Sequence, residues 1–323
     1  MNLKDKPLLI LSGPTAVGKT ELSLQLAKKL NGEIINADSM QVYRGMDIGT
    51  AKILPEDREG IPHHLIDICD PESDFDVVQF QDLAKPCIEE IYSRGHLPIL
   101  VGGTGFYLQA VLYDIDFTEG GADPAIREKY ERIAEEKGVE ELHRMLQEVD
   151  PEAADSIHAN NVKRVIRALE FFEQTGIPIS EHNRKQKEKS SPYRYLYAIL
   201  TLPRKKLYER IDLRVDEMLE AGLEDEVRGL IKRGVSPECT AMQGLGYKEI
   251  AAYLNETIDR DEAIRILKRD THHFAKRQMT WFRREKSVCY FDWEKYPTMD
   301  TMLDAICKAF REKTENSDEG ITL

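Results

Sequence analysis

The sequence contains no apolar run approaching the roughly 18 residues that a bilayer-crossing helix needs, and its opening, Met1-Asn2-Leu3-Lys4-Asp5, is too polar for a secretory signal. A cytoplasmic protein without a membrane partner is expected. Cysteine is scarce: Cys69, Cys87, Cys239, Cys289 and Cys307 are odd in number and include no C-x-x-C spacing. Neither a disulfide framework nor a four-thiolate zinc site is suggested. Positive charge is in deficit, with 45 Lys and Arg against 58 Asp and Glu and a formal net charge of -13. Such a chain does not coat nucleic acid with its whole surface, so any RNA contact must use a local basic face. Also lacking are the N-K-x-D signature of guanine recognition and a clean apolar strand ending in a magnesium-binding aspartate, Asp67 after Leu65-Ile66 being the nearest.

What is present alternates strand and helix. Pro7 to Ser12 is a short apolar run, Glu21 to Leu30 is helical in composition and Glu33 to Ala37 is apolar again, which opens a βαβ unit. Further strands are expected at His64 to Ile68, Pro98 to Val101, Arg194 to Leu202 and Ser287 to Phe291. The pattern predicts an α/β fold whose parallel sheet is flanked by helices. From about Asp116 to Pro192 the texture turns to charged helical segments with no strand run, bounded by Thr118-Glu119-Gly120-Gly121 and by Glu181 to Pro192. The expected organisation is a core of residues 1–115 plus 193–313, an inserted all-helical subdomain at 116–192 and a tail at 314–323.

Gly13-Pro14-Thr15-Ala16-Val17-Gly18-Lys19-Thr20 satisfies G-x-x-x-x-G-K-[ST] between an apolar strand and a helix, the context that gives the motif meaning. Glycines let successive N–H groups curl inward around an anion and the helix N-terminus adds positive potential. Lys19 can then neutralise phosphate oxygens, and the Thr20 hydroxyl can hold Mg2+. The loop reads as a phosphate binder, without naming ATP. Asp38-Ser39-Met40-Gln41-Val42-Tyr43 comes after the second strand, and Gly102-Gly103-Thr104-Gly105-Phe106-Tyr107 after another. Both therefore fall at the carboxyl edge where open α/β sheets place ligands. A helix cap is the competing reading for Asp38, and a plain turn for the second segment.

Together with Phe274-Ala275-Lys276-Arg277-Gln278-Met279-Thr280-Trp281-Phe282-Arg283-Arg284, these segments resemble the tRNA dimethylallyltransferases of the bacterial type, over a span from Gly13 to Arg284. The phosphate loop is shared with many kinases; the ordered combination of the other three segments is specific. The resemblance implies transfer of a dimethylallyl group from its diphosphate to N6 of the adenosine 3′ of the anticodon in tRNA. Asp38 is then the general base and Thr15 a donor to the leaving oxygen. Gly13 to Thr20 then hold the diphosphate, with Mg2+ at Thr20; Arg210 and Arg214, spaced i, i+4 on the helical stretch Arg204 to Leu219, are further candidates to clamp it, and surface charges paired with Asp212, Asp216 and Glu217 are the competing reading. Asp38, Ser39, Met40, Gln41, Thr104, Arg127, Asn161, Val162, Lys163, Arg164, Arg167, Gln243, Gly244, Lys276 and Arg277 are the implied tRNA contacts. A monomer is expected, without zinc and without the C-terminal zinc finger of some eukaryotic relatives.

Charge patterning agrees: eight Lys and Arg face four Glu between Lys163 and Arg194, and seven lie between Lys268 and Lys286 against Asp270 and Glu285. The chain departs from the family at Thr271-His272-His273, where a basic residue is expected after the threonine, so phosphate contacts from that turn are expected to be missing or pH-dependent. Two rivals remain at this level: a small-molecule kinase, which needs an adenine pocket and an arginine-rich lid, and an RNA-binding module without chemistry, which leaves Asp38 unexplained.

Overall fold

In the computed structural model, which describes residues 6–117 and 123–315, the chain opens on strand β1 (Pro7–Ser12), helix α1 (Lys19–Leu30), β2 (Gly32–Asn36) and a two-residue β3 (His63–His64). Helix α2 (Val77–Ser93), β4 (Leu97–Gly102) and α3 (Gly105–Leu112) come next. Then come α4 (Pro124–Lys137), α5 (Val139–Val149), α6 (Pro151–Ser156), α7 (Val162–Thr175) and α8 (Ile179–Glu188). The chain returns to the sheet at β5 (Arg194–Thr201) and continues through α9 (Arg204–Glu220), α10 (Leu223–Lys232), α11 (Tyr247–Leu254) and α12 (Arg260–Phe282). It closes on β6 (Val288–Asp292) and α13 (Met299–Glu315). Two compact units result, Met1–Val111 with Tyr193–Leu323, and Leu112–Pro192.

The first unit holds one parallel sheet in the order β3-β2-β4-β1-β5-β6. Leu8, Leu9, Ile10 and Leu11 are fully buried because β1 is central and covered on both faces, which is why it reads as a continuous apolar run rather than an alternation. One layer of core joins Leu9, Leu11, Leu22, Leu26 and Ile99 to Met302, Ile306 and Phe310 of α13. The sheet order also sets which loops become neighbours. Because β4 lies between β1 and β2, with Ser12 paired to Gly102 and Asn36 to Val101, the turn after β4 emerges between the loops that leave β1 and β2.

The second unit packs α4 to α7 around Tyr130, Leu142, Leu146, Val165, Ile166 and Leu169. Buried Asp150 organises it from within, accepting from Ala153 N–H, Ser180 N–H and the Ser180 hydroxyl. The α/β class and the helical texture of this stretch follow the sequence pattern; two local expectations need correction. The strand expected at His64 to Ile68 pairs only at His63–His64, since Leu65 and Asp67 take positive φ of 59° and 56° and turn the chain away. Residues 314 and 315, expected in a tail, continue α13, where the Thr314 hydroxyl donates to Phe310 C=O. The Thr118-Glu119-Gly120-Gly121 boundary and residues 316–323 lie outside the described residues. No described helix is long and apolar enough to cross a membrane.

Candidate active site

The loop after β1 begins at Gly13, whose φ of +145° turns the chain sharply and whose missing Cβ would stand 2.7 Å from Leu200 C=O. Ala16 has φ +61° and Gly18 +97°, the curled backbone that an anion cradle requires. The Lys19 ammonium reaches back to the carbonyls of Gly13 and Pro14, each at 2.9 Å. Burial pushes its pKa down to about 8, with Asp38 opposing that shift and Arg214 adding to it. Thr20 stands exposed in the first turn of α1. Trp293, just beyond β6, donates its indole N–H to Val17 C=O at 2.8 Å and lies along Gly18, fixing the loop from outside.

The Asp38 segment is not a helix. Its Oδ1 accepts from Met40 N–H at 2.9 Å, and its own N–H donates to Asn36 Oδ1, so the carboxylate is oriented by an Asx-type turn. The helix-cap reading is thereby excluded, since no helix begins there. Asn36, buried, also donates to the carbonyls of Asp38 and Leu65 and so joins the loops after β2 and β3. Thr104 bridges the next loop: its hydroxyl oxygen accepts from Ser39 N–H at 3.0 Å and lies 3.2 Å from Ser39 Oγ. Lys19, Thr20, Asn36, Asp38 and Gln41 line one cavity with the apolar side chains of Ile34, Ile53, Ile66 and Val101.

Arg214 on α9 completes this charge cluster. Burial lowers its pKa, Glu217 and Asp38 oppose that, and the guanidinium remains a cation within the field of Asp38 and Lys19. Arg210, one turn earlier, is exposed. Met40 packs its methyl onto Gly244, bringing the segment after Asp38 to the 241–246 turn. Gln41 lines the same cavity and donates its amide nitrogen to Thr50 C=O at 3.1 Å. Gln243 is exposed and donates to Pro237 C=O. On α12, Lys276 and Arg277 are exposed, with Arg277 5.8 Å from the Phe274 ring.

The other implied RNA contacts belong to the helical unit. Asn161, Lys163 and Arg164 at the start of α7 are exposed and Val162 is partly buried. Arg127 and Arg167 instead converge on fully buried Glu170, at 3.5 and 3.1 Å, so their positions answer to the fold of that unit. His272 does not face outward: it stacks on Tyr208 at 4.0 Å and lies 2.9 Å from Asp212 Oδ1. Sequence reasoning missed Trp293, Glu170 and the buried amide of Gln278. Trp293 and Glu170 carry no motif; Gln278 lies within the Phe274 to Arg284 segment, and the signal of its burial is its register with Ala275 and Phe282 on the buried face of α12.

The donor chemistry at Thr20 fits a magnesium ion of the kind held by a single hydroxyl plus phosphate oxygens and water. Among the described residues no cluster of three His, Cys, Asp or Glu could hold a metal by itself.

Residues 41–285 match the family model described as IPP transferase, and residues 6–69 match one described as isopentenyl transferase. The tRNA dimethylallyltransferase of Lachnoclostridium phytofermentans is 55% identical over 308 residues, 95% of this chain and 98% of that protein. That of Carboxydothermus hydrogenoformans is 54% identical over 88% of this chain and 91% of its own. Among solved structures, the Bacillus halodurans tRNA isopentenylpyrophosphate transferase is 47% identical with a TM-score of 0.71, covering 97% of this chain and 99% of that one. A eukaryotic dimethylallyltransferase acting on tRNA is 31% identical with a TM-score of 0.82, covering 97% and 81%. With its three edge loops, its sheet order and a family match from residue 41 to residue 285, the chain belongs to the IPP transferase family.

Proposed function

We propose that the chain transfers the dimethylallyl group of dimethylallyl diphosphate to N6 of the adenosine 3′ of the anticodon in tRNA, releasing diphosphate. The observation that carries this reading is Asp38: a carboxylate oriented by Met40 N–H in the same cavity as the phosphate-loop residues Lys19 and Thr20. An exocyclic amine becomes acidic only as its new C–N bond forms, so a carboxylate within hydrogen-bond reach serves as the base. One oxygen of Asp38 is held by the backbone and the other receives the N6 proton.

Departure of diphosphate from an allylic carbon leaves negative charge on the bridging oxygen. Thr15 donates to that oxygen, and Lys19 and Arg214 neutralise the rest of the leaving group. Thr20 would hold Mg2+, and the ion would supply further charge neutralisation to the diphosphate. Ser39, tied to Thr104, and Gln41 read the extruded base, since an anticodon-loop adenosine must leave its stack to reach the cavity. Lys276, Arg277 and the exposed start of α7 contact phosphates, and residues 116–192 act as an inserted subdomain for the RNA.

Incubation with labelled dimethylallyl diphosphate, Mg2+ and unmodified tRNA tests the reading: label must appear in the RNA. Steady ATP hydrolysis that prenyl diphosphate fails to inhibit, with no label transferred, would favour a kinase instead.

A further inference from the structure

Gln278 is only 6% exposed, although it lies on a helix whose neighbouring residues Lys276 and Arg277 are exposed and charged. Its Oε1 accepts from Thr15 N–H at 2.9 Å and its Nε2 donates to Gly103 C=O at 3.0 Å. The two partners fix the amide orientation, since one offers a proton and the other a lone pair. Gly103 makes this approach possible: a Cβ there would sit 2.3 Å from Gln278 Nε2. Both partners lie on ligand-facing loops, one in the phosphate loop beside strained Ala16, the other in the turn whose Thr104 holds Ser39, the residue after Asp38. Trp281, one turn along, packs against Gly105 in the same turn.

A buried amide is a costly way to join a helix to a sheet when apolar packing would do. Here it spans the donor to the leaving oxygen and the turn that holds the base-bearing segment, from a helix whose other face is the basic one. We infer that Gln278 is a positioning residue that couples RNA on α12 to the geometry of Thr15 and the Asp38 segment. RNA docking on Lys276 and Arg277 then stiffens the α12 backbone, and the amide passes that constraint to both loops. The inference rests on the transfer reading of this site, but its binding arm stands apart from turnover.

Three quantities test it in wild type, Gln278→Met, which keeps bulk and loses both bonds, and Gln278→Glu, which keeps an acceptor for Thr15 N–H and loses the donor to Gly103. They are the affinity for an anticodon stem-loop RNA, the affinity for dimethylallyl diphosphate with and without that RNA, and the single-turnover rate at saturation of both. In wild type, RNA should strengthen diphosphate binding by about fivefold or more, and in Gln278→Met that ratio should fall to about one while RNA affinity alone stays within about twofold. The single-turnover rate should fall by about 10- to 100-fold in Gln278→Met, with Gln278→Glu between the two. A Gln278→Met protein that keeps both the ratio and the rate overturns the proposal, as do losses that merely track its melting temperature and RNA affinity. Wild-type coupling without label in the RNA would sink the transfer reading and leave the role of Gln278 standing.

Discussion

Asp38 shows how little of a residue's chemistry resides in its identity. The same aspartate capping a helix would be interchangeable with asparagine; here it is fixed by Met40 N–H in a cavity shared with a lysine. Asp38→Asn is nearly isosteric and should leave the fold and diphosphate binding intact. Single-turnover prenyl transfer at saturating tRNA should nonetheless fall by about 10^2- to 10^4-fold, because an amide cannot take the N6 proton. A rate within about threefold of wild type would return Asp38 to a turn-forming role. Lys19 makes a pH-dependent counterpart. Its ammonium is depressed to about 8 by burial, so the free protein loses that charge as pH rises past about 8, whereas a bound diphosphate holds the proton in place. Diphosphate affinity should therefore weaken above about pH 8 by up to about tenfold per pH unit, and binding near that pH should take up protons. Calorimetry in two buffers of different ionisation enthalpy measures the uptake; an identical heat in both removes Lys19 from the linkage.

At the scale of elements, helix α9 separates two arginines that spacing alone treats as a pair. Arg210 and Arg214 are one turn apart, yet only Arg214 lies within the field of Lys19 and Asp38. Arg214→Ala should weaken diphosphate binding by roughly 1.5 to 3 kcal/mol, the worth of a charge-assisted contact, and Arg210→Ala by clearly less. Equal losses in titrations of both variants would mean that the exposed arginine swings in to share the ligand. Other elements show what a sequence can and cannot disclose. Strand β1 was legible because a strand buried on both faces must be apolar throughout, and the phosphate loop because its glycines answer to backbone geometry. The end of the strand expected at His64 was not, since the turn at Leu65 and Asp67 is held by Asn36, 29 residues from Leu65 in the chain. The task of Gln278 was illegible for a related reason: its register with Ala275 and Phe282 points to burial, but its partners Thr15 and Gly103 are 263 and 175 residues away in the chain.

At the scale of the whole molecule, a chain of net charge -13 must meet a polyanion through local patches. Lys276, Arg277, Arg283 and Arg284 are exposed, so tRNA affinity should fall steeply with salt, and Ala at each contact should lower the salt slope by up to about 0.7 to 0.9. Slopes unchanged in all four variants would remove this face from the interface. An acid-sensitive contribution to stability lies at the start of β2. Glu33, at the start of β2, has a side chain almost wholly buried, with Arg94 Nε and Nη2 at 2.9 and 2.8 Å and His96 Nδ1 and His64 Nε2 each at 2.6 Å. The Arg94 hydrogen bonds hold its carboxyl down to about 2, against burial, with His64 and His96 assisting. A depressed carboxyl stabilises the fold fully above the unfolded value of about 4.5 and loses that contribution as pH falls toward about 2. Glu33→Gln should therefore melt lower at pH 7, by about 1 to 3 kcal/mol in stability, and its melting temperature should fall less steeply than wild type as the pH drops through that window. Parallel curves for the two proteins would show that the acid sensitivity of the fold lies elsewhere. Because Glu33, Arg94 and His96 sit at the amino ends of β2 and β4 and the ligand loops at their carboxyl ends, the variant should retain diphosphate affinity wherever it is folded.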